Sequence, residues 1–504
     1  MLRETRTENG RVRGIVATDA RITVYKGIPF GADTSGKNRW RPPQPAEDWE
    51  GVRECYEFGE ISMQRVPGRD PEAFYAKEWH VDPEVKRGEN CLTANIWTPA
   101  KTVDDKLPVM VWIFGGGLQE GYPYEMEFDG ERIASRGVIL VSIGYRLNAF
   151  GLLAHPEITK ENPDGPTNFA LQDQAFGIAW VKRNIANFGG DPENITIFGQ
   201  SAGGFSVVAQ MCSPKAKGLF QKGIIESIGG MRPKYPLNMS MPQVSLEQQE
   251  KEGIEFFEKL GVKTLEEARA LDAQYIEDKF NECHYFWGAV TDGVFLTEML
   301  EDTIVGNRMN DVKFMVGNTK DEFLIAPPAD DDETVNKFVD ERFCQYADGF
   351  KEAVKAGGME LKDAAVVHQM GIGNRLMAAV CAKHGLDFYY YTFGVSIPGD
   401  DAGCFHSCDL WFQFETLMKC WRPFNGHHLD CARKICNYWT NFAKTGDPNG
   451  NDADGTPMPH WDLVTPEKPY PMQFFDTIQM ATGPRSAQDK FVFDVYFREK
   501  EKEA

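Results

Sequence analysis

The residues with the clearest chemical potential are Gly199-Gln200-Ser201-Ala202-Gly203. A serine hydroxyl is a weak nucleophile unless a turn presents it and a neighbouring base takes its proton. Gly-x-Ser-x-Gly alone arises by chance in roughly one chain in five of this length and glycine content. Its surroundings make it specific. The apolar run Ile195-Thr196-Ile197-Phe198 reads as a strand leading in, and Ala202 to Val208 reads as a helix leading out. A strand-to-helix turn this tight needs small residues around the serine, and it lifts the hydroxyl off the sheet edge. The helix N-terminus then faces the serine, so its dipole and the Ala202 N–H favour a developing oxyanion. Upstream, Gly115-Gly116-Gly117 follows the run Val109 to Phe114. Consecutive glycines let backbone approach a substrate closely and aim N–H groups at it. The Gly116, Gly117 and Ala202 N–H groups are the expected oxyanion hole.

These residues need a scaffold. Val109 to Phe114, Val138 to Ile143, Ile195 to Phe198 and Phe314 to Val316 are continuous apolar runs of strand length. Runs of that kind suit parallel strands buried on both faces. Asn168 to Phe188 has apolar residues at helical spacing, and the alternation implies an α/β sheet with helices on both faces. Ser245 to Phe280 reads as helical with no strand, and Pro327 to Glu333 as a solvated surface loop.

Composition bounds the function. The chain has 504 residues with 54 Lys+Arg against 75 Asp+Glu, a net charge of −21, and 42% hydrophobic residues. It can fill a sizeable core, and its acidity argues against nucleic acid and anionic membranes as partners. A small neutral or cationic substrate fits, while the field repels anionic ones. The start is polar and charged and no run approaches the roughly 20 apolar residues of a membrane span, so a cytoplasmic protein is expected, with a secreted mature form as the alternative. The 11 Cys show no framework spacing, and reduced thiols are expected.

Over nearly its whole length the chain resembles the type-B carboxylesterase and lipase family, which includes cholinesterases and bacterial para-nitrobenzyl esterases. The resemblance runs through Gly14-Ile15, Tyr25 to Phe30, Arg39 to Pro43 and Glu89 to Leu92. It is densest from Leu171 to Gln174 and from Asn187 to Gly203. It returns at Gly317 to Glu322, Phe405-His406 and Trp439 to Asn449. It implies an α/β-hydrolase fold, with a mostly parallel sheet flanked by helices. One catalytic domain over 1–504 is implied, with helical insertions near 231–290 and 325–425 as cap or gorge elements. It also implies a Ser…Glu…His triad in chain order. Glu322 is then the acid, with Asp321 its competitor in a supporting part. His406 is the base, with His284, His427 and His428 as rivals. Ser227 matches a position that supports the triad, and Gln200 stands where the family often has Glu. Tyr285, Phe286 and Trp287 fall where relatives build an acyl pocket. For the choline-binding Trp of cholinesterases, counting from Ser62 reaches Trp79 and counting back from Cys91 reaches Val81.

Other departures are Phe323 after the acid, where the family usually has Gly, and Phe114 in place of a His. Ser62 replaces the early disulfide partner of Cys91, leaving Cys55 as a substitute, and no Cys lies between Leu246 and Asp278. The missing disulfides point towards a bacterial intracellular relative. Cys404, His406 and Cys408, with Cys420, His427, His428 and Cys431, allow a zinc site by composition, but their spacing is irregular. No metal or cofactor is expected. The reading is a serine carboxylic-ester hydrolase acting on neutral or hydrophobic small-molecule esters through an acyl-enzyme. The alternatives are a lidded lipase, an amidase on the same triad, or an adhesion relative that has lost catalysis.

Overall fold

The computed structural model describes residues 1–79, 84–228, 230–236, 242–482 and 486–503. The chain forms two compact units, one made of residues 1–226, 241–314 and 410–458, the other of 227–240, 315–409 and 459–504.

The first unit is built on a sheet. Its strands in chain order are β1 (Ile15–Val16), β2 (Thr23–Pro29), β3 (Thr93–Thr98), β4 (Leu107–Ile113), β5 (Ile139–Ile143), β6 (Gly190–Gln200) and β7 (Lys222–Glu226). They lie in the order β7-β6-β4-β5-β3-β2-β1. The β7–β6, β6–β4 and β4–β5 pairs are parallel, and the remaining pairs are antiparallel. Val109 to Ile113 and Ile139 to Val141 are fully buried, as strands covered on both faces must be. Between β5 and β6 runs α1 (Phe169–Asn184), extended by a 3-10 turn over Ile185–Phe188. α2 (Ala202–Cys212) follows β6 with no intervening loop beyond Ser201.

The stretch expected to be helical contains α3 (Leu246–Leu260), α4 (Leu265–Arg269) and α5 (Ala273–Glu282). Their ends carry local stop and start signals. Ser245 accepts the Gln248 N–H, Gly261 closes α3 in the left-handed conformation, Thr264 and Glu267 form a capping box, and Asp272 caps α5. Phe256, Phe257, Leu260, Ile276 and Phe280 are the buried face.

The second unit has β8 (Lys313–Thr319), which enters it from the first, β9 (Leu324–Ile325), β10 (Val367–His368), β11 (Phe388–Gly394), β12 (Met472–Phe475) and β13 (Ile478–Met480). β8, β11, β12 and β13 are neighbours in that order, and β9 pairs with β10. The acidic run expected as a loop is a loop only in part. Asp331 caps a helix over Asp332–Phe343, so Asp332 and Glu333 sit in a first turn, where the helix dipole favours carboxylates. All 11 Cys are free thiols, Cys55 and Cys91 included. Burial pushes the Cys91 thiol far above its ordinary range.

Candidate active site

In the first unit, Ser201 sits between β6 and α2 with φ 56° and ψ −124°. A non-glycine residue rarely holds positive φ, and strain of this kind marks functional positions. The strain is held from several sides. The Ser201 N–H donates to the Glu226 carbonyl at 2.9 Å, and the Phe205 N–H donates to the Ser201 carbonyl at 2.8 Å. A Cβ on Gly203 would lie 2.0 Å from the Ile113 carbonyl oxygen, and one on Gly199 2.6 Å from that same oxygen. Both glycines are therefore demanded by backbone approach. Ser201 is half-buried while Gln200 and Ala202 are buried, so the turn exposes the serine selectively. Ala202 is the first residue of α2, and its N–H has no partner within the helix.

The glycine loop lies against this turn. A Cβ on Gly115 would sit 3.2 Å from the Ser201 Cβ and 3.3 Å from Gln200 Oε1. Gly116 has φ 101° and Gly117 φ 66°; the first is exposed and the second half-buried. Sequence reasoning missed what holds this loop. The buried Gln64 carboxamide donates to the Gly121 carbonyl at 2.9 Å and accepts the Gly121 N–H at 2.8 Å. The Asn148 N–H donates to the Leu118 carbonyl at 2.8 Å. The aromatic trio divides. Phe286 is 55% exposed, and its ring is 3.1 Å from where a Gly117 Cβ would be. Tyr285 and Trp287 stack at 5.2 Å and pack against Phe256 and Phe280 of the helical segment.

Behind the serine, Glu226 is fully buried in register with Gln200. Its carboxylate accepts from Trp439 Nε1 at 2.8 Å and Gln413 Nε2 at 2.9 Å. Buried charge is tolerable only when so partnered. Trp79 is buried and stacks on Tyr75 at 5.1 Å, whereas Val81 lies outside the described residues.

In the second unit, Glu322 and His406 meet. Glu322 Oε2 is hydrogen-bonded to His406 Nδ1, and Glu322 Oε1 accepts the Thr319 N–H at 3.1 Å. Both side chains are buried. Asp321 is bonded to the backbone two residues before His406. Its Oδ2 accepts the Cys404 N–H at 2.9 Å, and its own N–H donates to the Cys404 carbonyl at 3.1 Å. The Glu322 loop is thus tied to the His406 loop. His368, which no sequence signal marked, props the same loop. Its Nδ1 accepts the Gly371 N–H at 3.0 Å, so Nε2 carries the proton given to the Lys320 carbonyl at 2.6 Å. Burial lowers the His368 pKa, in keeping with a neutral ring. Asp409 lies near Glu322, and burial together with that charge pushes its carboxyl up to about 7. Ser227 has φ 60°, its N–H donates to the Gly317 carbonyl at 2.7 Å, and its buried hydroxyl has no hydrogen-bond partner among the described residues. His427 and His428 lie in the first turn of the helix over Gly426–Thr445, where His428 Nδ1 and Asn425 complete a capping box. Among the described residues no group of three or more His, Cys, Asp or Glu is placed to hold a metal ion. No helix among them is long and apolar enough to cross a membrane.

A serine on a strained strand-to-helix turn of a helix-flanked mixed sheet belongs to the α/β-hydrolase fold. The profile of the carboxylesterase family matches residues 2–492. The para-nitrobenzyl esterase of Bacillus subtilis (strain 168) is 30% identical over 459 residues, covering 88% of this chain and 90% of that protein. The cholinesterase of Mus musculus is 30% identical over 492 residues, 90% of this chain and 80% of that one. The solved structure of a Geobacillus stearothermophilus carboxylesterase superposes with a TM-score of 0.76 at 27% identity, covering 97% of this chain and 100% of that one. The chain belongs to the carboxylesterase family and is a serine carboxylic-ester hydrolase.

Proposed function

We propose that Ser201 is the nucleophile, His406 its general base and Glu322 the group that orients the base, acting on small neutral or hydrophobic esters. The observation that carries this reading is the Ser201 turn, strained, with its serine only half-buried between buried neighbours and set beside the glycine loop. His406 takes the Ser201 proton as Oγ attacks the ester carbonyl. Glu322 holds Nδ1, which leaves proton exchange to Nε2. The N–H groups of Gly116, Gly117 and Ala202 receive the tetrahedral oxyanion, each contributing roughly 3–4 kcal/mol. His406 then protonates the departing alcohol, and water hydrolyses the acyl-enzyme by the same route.

Phe286, half-exposed over Gly117, is the acyl-side contact; the packing of Tyr285 and Trp287 supports a structural part for those two. Gln200 and Ser227 are assigned supporting parts at the turn and at the adjoining strand end. The helices within 231–290 and 325–425 act as cap elements of one catalytic body. Free thiols at all 11 Cys support a reducing, cytoplasmic setting. An organophosphate should label Ser201 stoichiometrically, and Ser201→Ala should lower ester turnover by about 10⁴-fold or more. Undiminished hydrolysis by Ser201→Ala would overturn the assignment.

A further inference from the structure

The residue after the acid breaks two rules at once. Phe323 holds φ 44°, in the left-handed region that disfavours a bulky side chain, and it is 46% exposed. Glycine at this point would carry neither penalty. An aromatic ring left nearly half in water gains little from burial, so core packing does not account for it. The ring instead lies against the base. Its centroid is 4.4 Å from the His406 imidazole centroid, at an interplanar angle of 43°.

The loop holding it there is firmly anchored. Glu322 is bonded to His406, Asp321 to the Cys404 backbone, and the Lys320 carbonyl to His368. Leu324 is paired with His368 in the β9–β10 ladder. The imidazole is therefore held at its Nδ1 edge by Glu322 and approached on its ring by Phe323, which is itself partly exposed.

We propose that Phe323 is a specificity-determining residue for the alcohol half of the ester, giving preference to alcohols that carry an aromatic or similarly broad apolar group. This rests on His406 being the base. In the acylation step His406 Nε2 gives its proton to the leaving alkoxide oxygen as the carbonyl carbon–oxygen bond breaks, so that oxygen comes within about 3 Å of the imidazole. A phenyl ring one or two carbons from that oxygen reaches the exposed part of Phe323, where ring pairs attract at centroid separations of about 4.5–7 Å. A short alkyl alcohol does not reach it. Leu324, 43% exposed beside it, extends the apolar surface.

The test compares 2-phenylethyl acetate with ethyl acetate, which share an acyl group and have alcohols of similar acidity. The readout is the ratio of their kcat/KM values. Phe323→Gly removes the ring and relieves the positive φ, so folding is not the obstacle. Its ratio should fall about tenfold relative to the parent chain. Phe323→Leu, which keeps an apolar surface without a ring, should fall about threefold. An unchanged ratio in Phe323→Gly, with both esters slowed equally or not at all, would overturn the proposal. Failure of the underlying site is read separately: Ser201→Ala or His406→Ala would then hydrolyse both acetates at the parental rate.

Discussion

Replacing Asp409 by Asn should flatten the dependence of stability on pH. Asp409 is 3% exposed, and its Oδ1 has no hydrogen-bond partner among the described residues. The Tyr391 hydroxyl is 3.4 Å from Oδ2, too far for a strong bond. Burial first and the Glu322 charge second push the carboxyl up to about 7, from an ordinary value of 3.8. Between about pH 4 and pH 7 the folded chain keeps this proton and the unfolded chain releases it. Stability therefore falls as pH rises through that window. Below it both states are protonated, and above it both are ionised, so the profile levels at each end. Three pKa units at about 1.4 kcal/mol each set a ceiling of about 4 kcal/mol on the loss. An asparagine keeps the shape and cannot ionise, so the variant lacks this slope.

The assay is urea unfolding followed by tryptophan fluorescence from about pH 5 to about pH 8. The stability of Asp409→Asn minus that of the parent chain should rise across the range by about 2 kcal/mol or more. A constant offset is expected from exchanging a carboxyl for an amide, and it cancels in the slope. A difference that stays constant from acid to neutral pH would refute the reasoning.

Two further expectations concern the first unit. Gly203→Ala would force a Cβ to within 2.0 Å of the Ile113 carbonyl oxygen and 2.8 Å of that of Phe114. Both contacts are backbone, so α2 and the end of β4 must separate; a loss of about 3 kcal/mol or more should appear in thermal unfolding, and a parental melting temperature would contradict the close approach. Gln64→Ala removes both hydrogen bonds to Gly121 at the end of the glycine loop proposed to hold the oxyanion. It should lower kcat by about tenfold with KM changed far less, because a loosened donor loop weakens transition-state binding more than ground-state binding. A rise in KM at constant kcat would remove Gln64 from that role.

The legible parts of the site are those where backbone geometry restricts residue type. The turn at Ser201 demands Gly199 and Gly203, because carbonyl oxygens stand where a side chain would begin. The loop from Gly115 to Gly117 needs positive φ at Gly116 and Gly117. Fully buried strands leave unbroken apolar runs, so the β4, β5, β6 and β8 regions are visible, with ends off by a few residues where hydrogen bonding continues past the apolar stretch, as at Gly190. The capped helices between Leu246 and Glu282 announce themselves through Ser245, Gly261, Thr264 and Asp272.

Side-chain direction and desolvation left no such trace. Tyr285, Phe286 and Trp287 are adjacent aromatic residues of one character, yet Phe286 is the one that lies over the glycine loop, because Phe256 of α3 and Phe280 of α5 take the other two. His368 and Asp409 look ordinary in the chain. One becomes a neutral prop for the loop that carries Glu322, and the other a carboxyl that holds its proton near neutrality. Phe323 is visible in the sequence as a departure, but its contact with the imidazole follows from the pairing of the Glu322 and His406 loops. The sequence by itself determined the family and the fold, since these rest on motifs in chain order and on local backbone demands. Tertiary structure alone decided which neighbours face the reacting groups and which charges are deprived of water, since those depend on residues brought together from far apart in the chain.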